Sequence, residues 1–136
     1  MKMKLMEVLV RAEQMNLMAQ KNLPIKLSYA IGKNRDRFME EYRRYDEERK
    51  KLCETYAEKD KDGKPVIDGN NYKLSEEARA ELDKALEEFR STTEVDIEVY
   101  KCSKTMDELI EEIDGSSRYD TLSANDLKVL DFLLEE

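Results

Sequence analysis

The chain reads as mainly α-helical with a small β element: a long helix returns on itself through a β-hairpin tip, giving an antiparallel, coiled-coil-like hairpin with short N- and C-terminal helices. Three observations predict this fold class. Ile31, Phe38, Tyr45 and Leu52 recur every seven residues, and Arg35, Tyr42, Arg49 and Tyr56 form the companion series, which is the 4-3 alternation of a coiled-coil seam. Turn formers gather directly after that seam, and a second apolar series, Ala78, Leu82, Ala85, Leu86 and Phe89, repeats the same spacing beyond them. Charged residues make up 41% of the 136 positions against 40% hydrophobic, with three Phe and no Trp, a composition suited to slender helices with a narrow apolar seam. A chain of this length fits one domain, residues 1–136, able to bury a core without disulfides or metal.

The first helix is expected over residues 4–21. Leu5, Val8, Leu9, Ala12, Met15 and Ala19 fall at helical spacing, while Met6, Val10, Leu17 and Met18 widen the apolar face, so several neighbours are expected to cover it. Its three methionines suit the filling of irregular gaps. Asn22-Leu23-Pro24 breaks the pattern, because proline disfavours helical geometry in the residue before it and suits the start of the helix that follows. The long helix is then expected over 25–57, about 48 Å at 1.5 Å per residue. Its seam holds Tyr and Arg where a stable two-stranded core prefers aliphatic residues. One reading is half-burial, with phenol and guanidinium tips reaching water or a carboxylate. The sharper reading is a protein-binding surface anchored by Arg35, Tyr42, Tyr45, Arg49 and Tyr56, residue types enriched at interfaces.

Glu58 to Gly63 ends the helix, and two short strands are expected within 65–74 around Asp68-Gly69-Asn70-Asn71. Ser75 caps a third helix over 76–90, with Glu76 and Glu77 in its first turn to suit the helix dipole. At about 22 Å it can cover half of the spine, which leaves the first helix to cover the other half. Val95, Ile97 and Val99 alternate with polar or amphipathic residues over 95–100, the period of a half-exposed strand. Thr105 with Glu108 has capping-box spacing for a helix over 106–113, and Ser123 with Asp126 opens a last helix over 124–134.

Residue types set limits on chemistry. With no histidine in the chain, Ser-His-Asp, Cys-His and His-based zinc sites are excluded. No GxGxxG or GxxxxGK[ST] pattern occurs among the four glycines, so the usual phosphate-cradling loops are missing. The run Glu58-x-Asp60-x-Asp62-Gly63 imitates the start of a calcium-binding loop, but Gly69 falls where a bidentate Glu is required and a hairpin follows. No catalytic, cofactor-binding or metal-binding residue is assigned. Cys53 and Cys102 stand in no paired spacing and read as free, buried thiols in a reducing compartment. The net charge of -8, spread along the helices, disfavours nucleic-acid binding. Arg43-Arg44 and Arg49-Lys50-Lys51 beside Glu40-Glu41 and Glu47-Glu48 read as i,i+4 ion pairs on a solvated face. No apolar run is long enough for a membrane span or signal peptide.

The run from Leu23 through Pro24, Lys26 and Tyr29 to Ile31, with Lys33-Asn34, the Tyr45-to-Arg49 segment with Leu52, and Tyr56 to Gly63 resemble an uncharacterised family of small bacteriophage and prophage proteins. The likeness continues through Asn71-Tyr72-Lys73-Leu74, Val95-Asp96-Ile97 and Leu130-Asp131-Phe132-Leu133, and so spans most of the chain; Ala57 and the Asp68–Asn71 turn depart from the family pattern. Genes of that family often sit among phage structural genes, so the resemblance implies a virion-assembly or infection role in the bacterial cytoplasm or in association with the virion, and it brings no catalytic residues. The resulting expectation is a non-enzymatic, phage-encoded assembly factor or minor structural component, binding a phage or host protein and able to form a homodimer. The alternative is an inhibitor that binds a host defence protein.

Overall fold

A computed structural model describes Met1–Glu136. It is mainly helical, with five α-helices and two small antiparallel two-stranded sheets. In order these are β1 (Lys2–Lys4), α1 (Leu5–Met18), α2 (Ile25–Tyr56), β2 (Ile67–Asp68), β3 (Asn71–Tyr72), α3 (Glu76–Thr92), β4 (Glu94–Asp96), α4 (Met106–Asp114) and α5 (Ala124–Leu130), which runs into a 3-10 turn at Asp131–Leu133.

The spine is α2, at 32 residues about 48 Å long. Pro24 directly precedes it, with an extended ψ of 142° that lets the chain reverse and lay α1 back along the first half of α2. Leu5, Val8, Ala12, Met15 and Met18 of α1 are buried against Leu27, Ala30, Ile31 and Phe38 of α2. The second half of α2 is accompanied by α3, which returns antiparallel from the tip and buries Leu82 and Leu86. Thus two shorter helices share the cover of one long one, as their lengths require.

The tip is a compact β-hairpin. Asp68 pairs with Asn71 and Ile67 with Tyr72, leaving a two-residue loop in which Gly69 has φ 65°, the left-handed geometry that glycine adopts without steric cost at the first central position of a hairpin turn. Ahead of it, the Asp60 carboxylate accepts from the backbone N–H groups of Asp62 and Lys64 at 2.9 and 3.0 Å. The acidic run after α2 is therefore spent on closing a turn, as Asp side chains commonly do. Tyr72 ties the hairpin back to α2 by donating to Glu54 Oε1 at 2.7 Å.

Several elements differ from the sequence expectation. The first helix begins one residue later and ends at Met18, because residues 2–4 form a strand paired with β4 in the register Lys2↔Asp96, Met3↔Val95 and Lys4↔Glu94. Opposite charges face each other across this pair, and Lys4 reaches Glu94 at 3.3 Å. The strand expected over 95–100 shortens to 94–96. Residues 97–102 run on as an extended strap along α2, with Ile97 and Cys102 buried. The last helix stops at Leu130, and Leu133 and Leu134 reach the core through the 3-10 turn that follows. The broad apolar face of α1 is not wholly covered: Met6, Val10 and Leu17 are 52%, 53% and 64% exposed.

The C-terminal segment docks on its own chain. Phe132 packs edge-on to Phe38, ring centroids 5.9 Å apart, and the Arg11 guanidinium lies over the Phe132 ring, 4.1 Å from its centroid. Cys102 N–H donates to the Leu133 carbonyl at 2.7 Å, and Glu135 N–H to that of Lys104 at 3.0 Å. No helix is long and apolar enough to cross a membrane.

Candidate interaction surface

The five seam residues lie on one helix, but the fold treats them differently. Tyr45 is buried at 8% exposure: α3 stacks Phe89 on its ring, centroids 6.1 Å apart and 17° from parallel, and Arg90 Nη1 donates to its hydroxyl at 2.7 Å. It is a core contact between α2 and α3, so it is not available as an anchor. Tyr42 is half-buried, edge-on to Tyr45 at 6.5 Å. Arg35 is half-buried and meets Asp36 at 3.2 Å.

Arg49 and Tyr56 belong to the outer part of α2. The Arg49 guanidinium donates to Asp46 at 2.9 and 3.0 Å and lies near Cys53 Sγ at 3.9 Å. The paired carboxylate holds Arg49 above its ordinary pKa, and the same hydrogen bonds hold Asp46 below the usual carboxylate value. Tyr56 is half-buried against the core edge. Expected half-burial with guanidinium tips on carboxylates is thus what Arg35 and Arg49 show.

Beyond Tyr45, α2, α3 and the hairpin form an arm with a cleft of about 510 Å³ between them. Arg49 and Cys53 line one wall, Leu82 and Leu86 another, and Ile67 and Tyr72 of the hairpin close the end. Half of the lining is apolar, and Lys50, Arg79 and Asp83 contribute charge to it. Leu52, Cys53 and Leu74 are partly covered, whereas Ile67 is 65% exposed. An apolar side chain held open at a hairpin end beside a half-apolar cleft can receive a side chain of another protein.

Along the exposed flank of α2 the charges neutralise one another locally. Glu40 meets Arg43 at 2.6 Å and Arg43 meets Glu47 at 2.6 Å; Arg44 reaches Glu40 and Glu41, and Lys50 reaches Asp46 at 3.2 Å. Hydrogen bonds from Arg43 hold Glu40 below the ordinary carboxylate value. Both cysteines are free thiols; Cys102 is buried as expected, but Cys53, on the wall of the cleft, is only half-buried. No three Cys, Asp or Glu side chains are grouped to hold a metal ion.

No protein-family model, no curated protein and no solved structure matches the chain.

Sequence reasoning missed two features near these surfaces. Asn34 is fully buried and hydrogen-bonded to the strap at Tyr100, although its place beside the buried Ile31 and Phe38 stripe was a signal. The unfilled flank of α1 gave no signal, since an apolar residue beyond the core stripe looks the same in sequence whether it is covered or not.

Proposed function

We propose that this protein works by binding another protein, with the arm formed by the outer half of α2, α3 and the hairpin as the presenting surface. The observation that carries this reading is the arm's end: exposed Ile67 beside an open, partly apolar cleft with Tyr and Arg on its walls. Tyr and Arg side chains contribute most to binding when a partner buries them near the centre of an interface. The sequence resemblance to small phage proteins supports a phage-encoded assembly factor or minor structural component as the setting, acting in the bacterial cytoplasm or with the virion.

Inhibition of a host protein through an acidic surface is less well supported. One acidic depression brings together Asp36, Glu40, Glu41, Asp96 and Glu98, yet Asp36, Glu40 and Glu41 each have an arginine partner, and Arg37 lies among them. Ion pairing leaves little of the continuous negative field that would compete for a basic site.

The test is co-expression of the tagged chain with each structural protein encoded beside it. Retention of one of them, lost on combining Ile67→Asp with Arg49→Ala while the melting temperature of the double variant stays within a few degrees, is the expected result. Undiminished retention by that variant, or retention of none of these proteins, overturns the arm as the binding surface.

A further inference from the structure

At the other end of α2, some 48 Å from the tip at 1.5 Å per residue, lies a patch of different character. Ile25 is 83% exposed and Tyr29 55% exposed. Tyr100 on the strap meets Tyr29 edge-on, centroids 5.4 Å apart. Ile25, Tyr29 and Tyr100 border a shallow depression of about 310 Å³ whose lining also includes Lys26 and Lys101. The Lys33 ammonium sits 5.6 Å from both ring centroids.

The lysines here are not ion-paired. Lys33 faces the two rings, and Lys101 Nζ donates to the Phe132 carbonyl at 2.5 Å. Of the other twelve lysines, Lys4, Lys21, Lys50, Lys51, Lys73 and Lys104 have carboxylate partners and six do not. Glu112, whose charge acts on Cys102 in the lining, is paired with Lys104 at 3.1 Å. In a chain of net charge -8, a depression lined by two lysines and no acidic residue, with Lys33 on the adjoining rings, makes a local positive island. Exposed apolar area gains by being covered, and unpaired ammonium groups around it favour a cover that brings carboxylates.

We propose that the depression at Ile25, Tyr29 and Tyr100, ringed by Lys26, Lys33 and Lys101, docks an acidic segment of a partner protein that carries an apolar anchor. The anchor lies on Ile25 and the tyrosine edges, and its flanking carboxylates meet the ammonium groups. A nucleic-acid strand fits less well: the tyrosines are edge-on to each other at 70° and so present no parallel stacking platform, and the surrounding negative charge repels a phosphate backbone. This site is separate from the arm, so it stands or falls independently of the binding proposed there. Together the two would let one chain bridge two proteins from opposite ends of its spine.

The probe is a short fluorescent peptide of glutamates flanking two leucines, titrated into the full chain and followed by polarisation and by amide chemical shifts. Expected are saturable binding with shifts confined to residues 25–33 and 100–103. Affinity should fall about tenfold or more for Ile25→Ser, for Lys26→Glu combined with Lys101→Glu, and for a peptide with Gln in place of Glu. Lys84→Glu on the exposed face of α3 should leave binding unchanged. The proposal is overturned by absence of saturable binding, by shifts centred on the arm or scattered over the surface, or by equal weakening with Lys84→Glu. Tighter binding of an oligothymidylate at the same residues, or a concentration-dependent dimer that Ile25→Ser abolishes, would also overturn it in favour of nucleic acid or of a second copy.

Discussion

Asn34 on α2 holds the backbone of Tyr100 with both ends of its side-chain amide: Nδ2 donates to the Tyr100 carbonyl at 2.8 Å, and Oδ1 accepts from the Tyr100 N–H at 3.0 Å. A second Nδ2 bond goes to the Ala30 carbonyl at 2.7 Å. One amide thus replaces the missing neighbouring strand for a segment that has left its sheet. The residue is fully buried, where a polar group is tolerated only when its hydrogen bonds are made, and no buried side-chain polar atom in the molecule is without a partner.

Replacing Asn34 by Ala should therefore cost more than a surface change. It leaves the Tyr100 N–H and carbonyl without their partner, a loss of about 1–3 kcal/mol. Denaturant unfolding should show that drop in midpoint, and amide exchange should quicken first at Tyr100. Asn34→Leu of similar volume should do no better, since the strap's polar groups still face it. Wild-type stability in either variant would mean that the strap is held by its neighbours, Ile97 and Cys102, and not by the amide.

Cys102 and Cys53 should differ sharply in reactivity. Cys102 is 1% exposed, and burial pushes its thiol above the ordinary pKa, so the folded protein keeps it neutral. Because the folded value is the higher one, this stability is fully present below the unfolded thiol value of about 8.5 and is lost as pH rises above it. Hydrogen bonding to Glu54 raises Tyr72, and hydrogen bonding to Glu112 raises Lys104, which adds losses of the same sign above about pH 10. A thiol reagent at neutral pH should label half-exposed Cys53 promptly and Cys102 only on the timescale of opening. Equal labelling rates would place Cys102 outside the core.

On the acid side the sign reverses. Asp46 is held below the ordinary carboxylate value, first by hydrogen bonds from Arg49 and then by Lys50. Its contribution is present above the unfolded value of about 3.9 and is lost as pH falls through the lower folded one. The pair is partly exposed, with side-chain exposures of 39% and 34%, so water and salt reduce its worth to under about 1 kcal/mol. Asp46→Asn should lower the unfolding midpoint slightly at pH 7 and not at all at pH 2. A drop of similar size at both would show that the charge is not the cause.

Much of this architecture was legible because it rests on periodicity and punctuation. The seven-residue recurrence from Ile31 to Leu52, Pro24, Ser75 and the Ser123/Asp126 capping box mark elements that the structure contains. Residues 2–4 were not legible as a strand, since three residues carry no period and their pairing with Glu94–Asp96 is set by a contact about ninety residues away in sequence. Tyr45 shows the limit for sites. Its seam position is the same kind as that of Tyr42, and only the arrival of Phe89 and Arg90 from α3 turns one into core while the other stays half-buried.

The uncovered stripe on α1 bears on self-association. Met6, Val10 and Leu17 are exposed and spaced by four and seven residues, so they lie along one side of the helix, next to half-buried Gln14 and Val129. The stripe extends only about 17 Å, shorter than the helix contact that a stable interface of the usual 1,200 Å² or more needs. Pairing through it alone should be weak, and a tight homodimer would have to enlist the arm. Light scattering over a range of concentrations distinguishes these cases. A monomer that dimerises only at high concentration, and no longer does so with Val10→Glu and Leu17→Glu, fits the stripe. A dimer stable on dilution and sensitive instead to Ile67→Asp would mean that the arm's end, offered above to a different protein, is first occupied by a second copy of this chain.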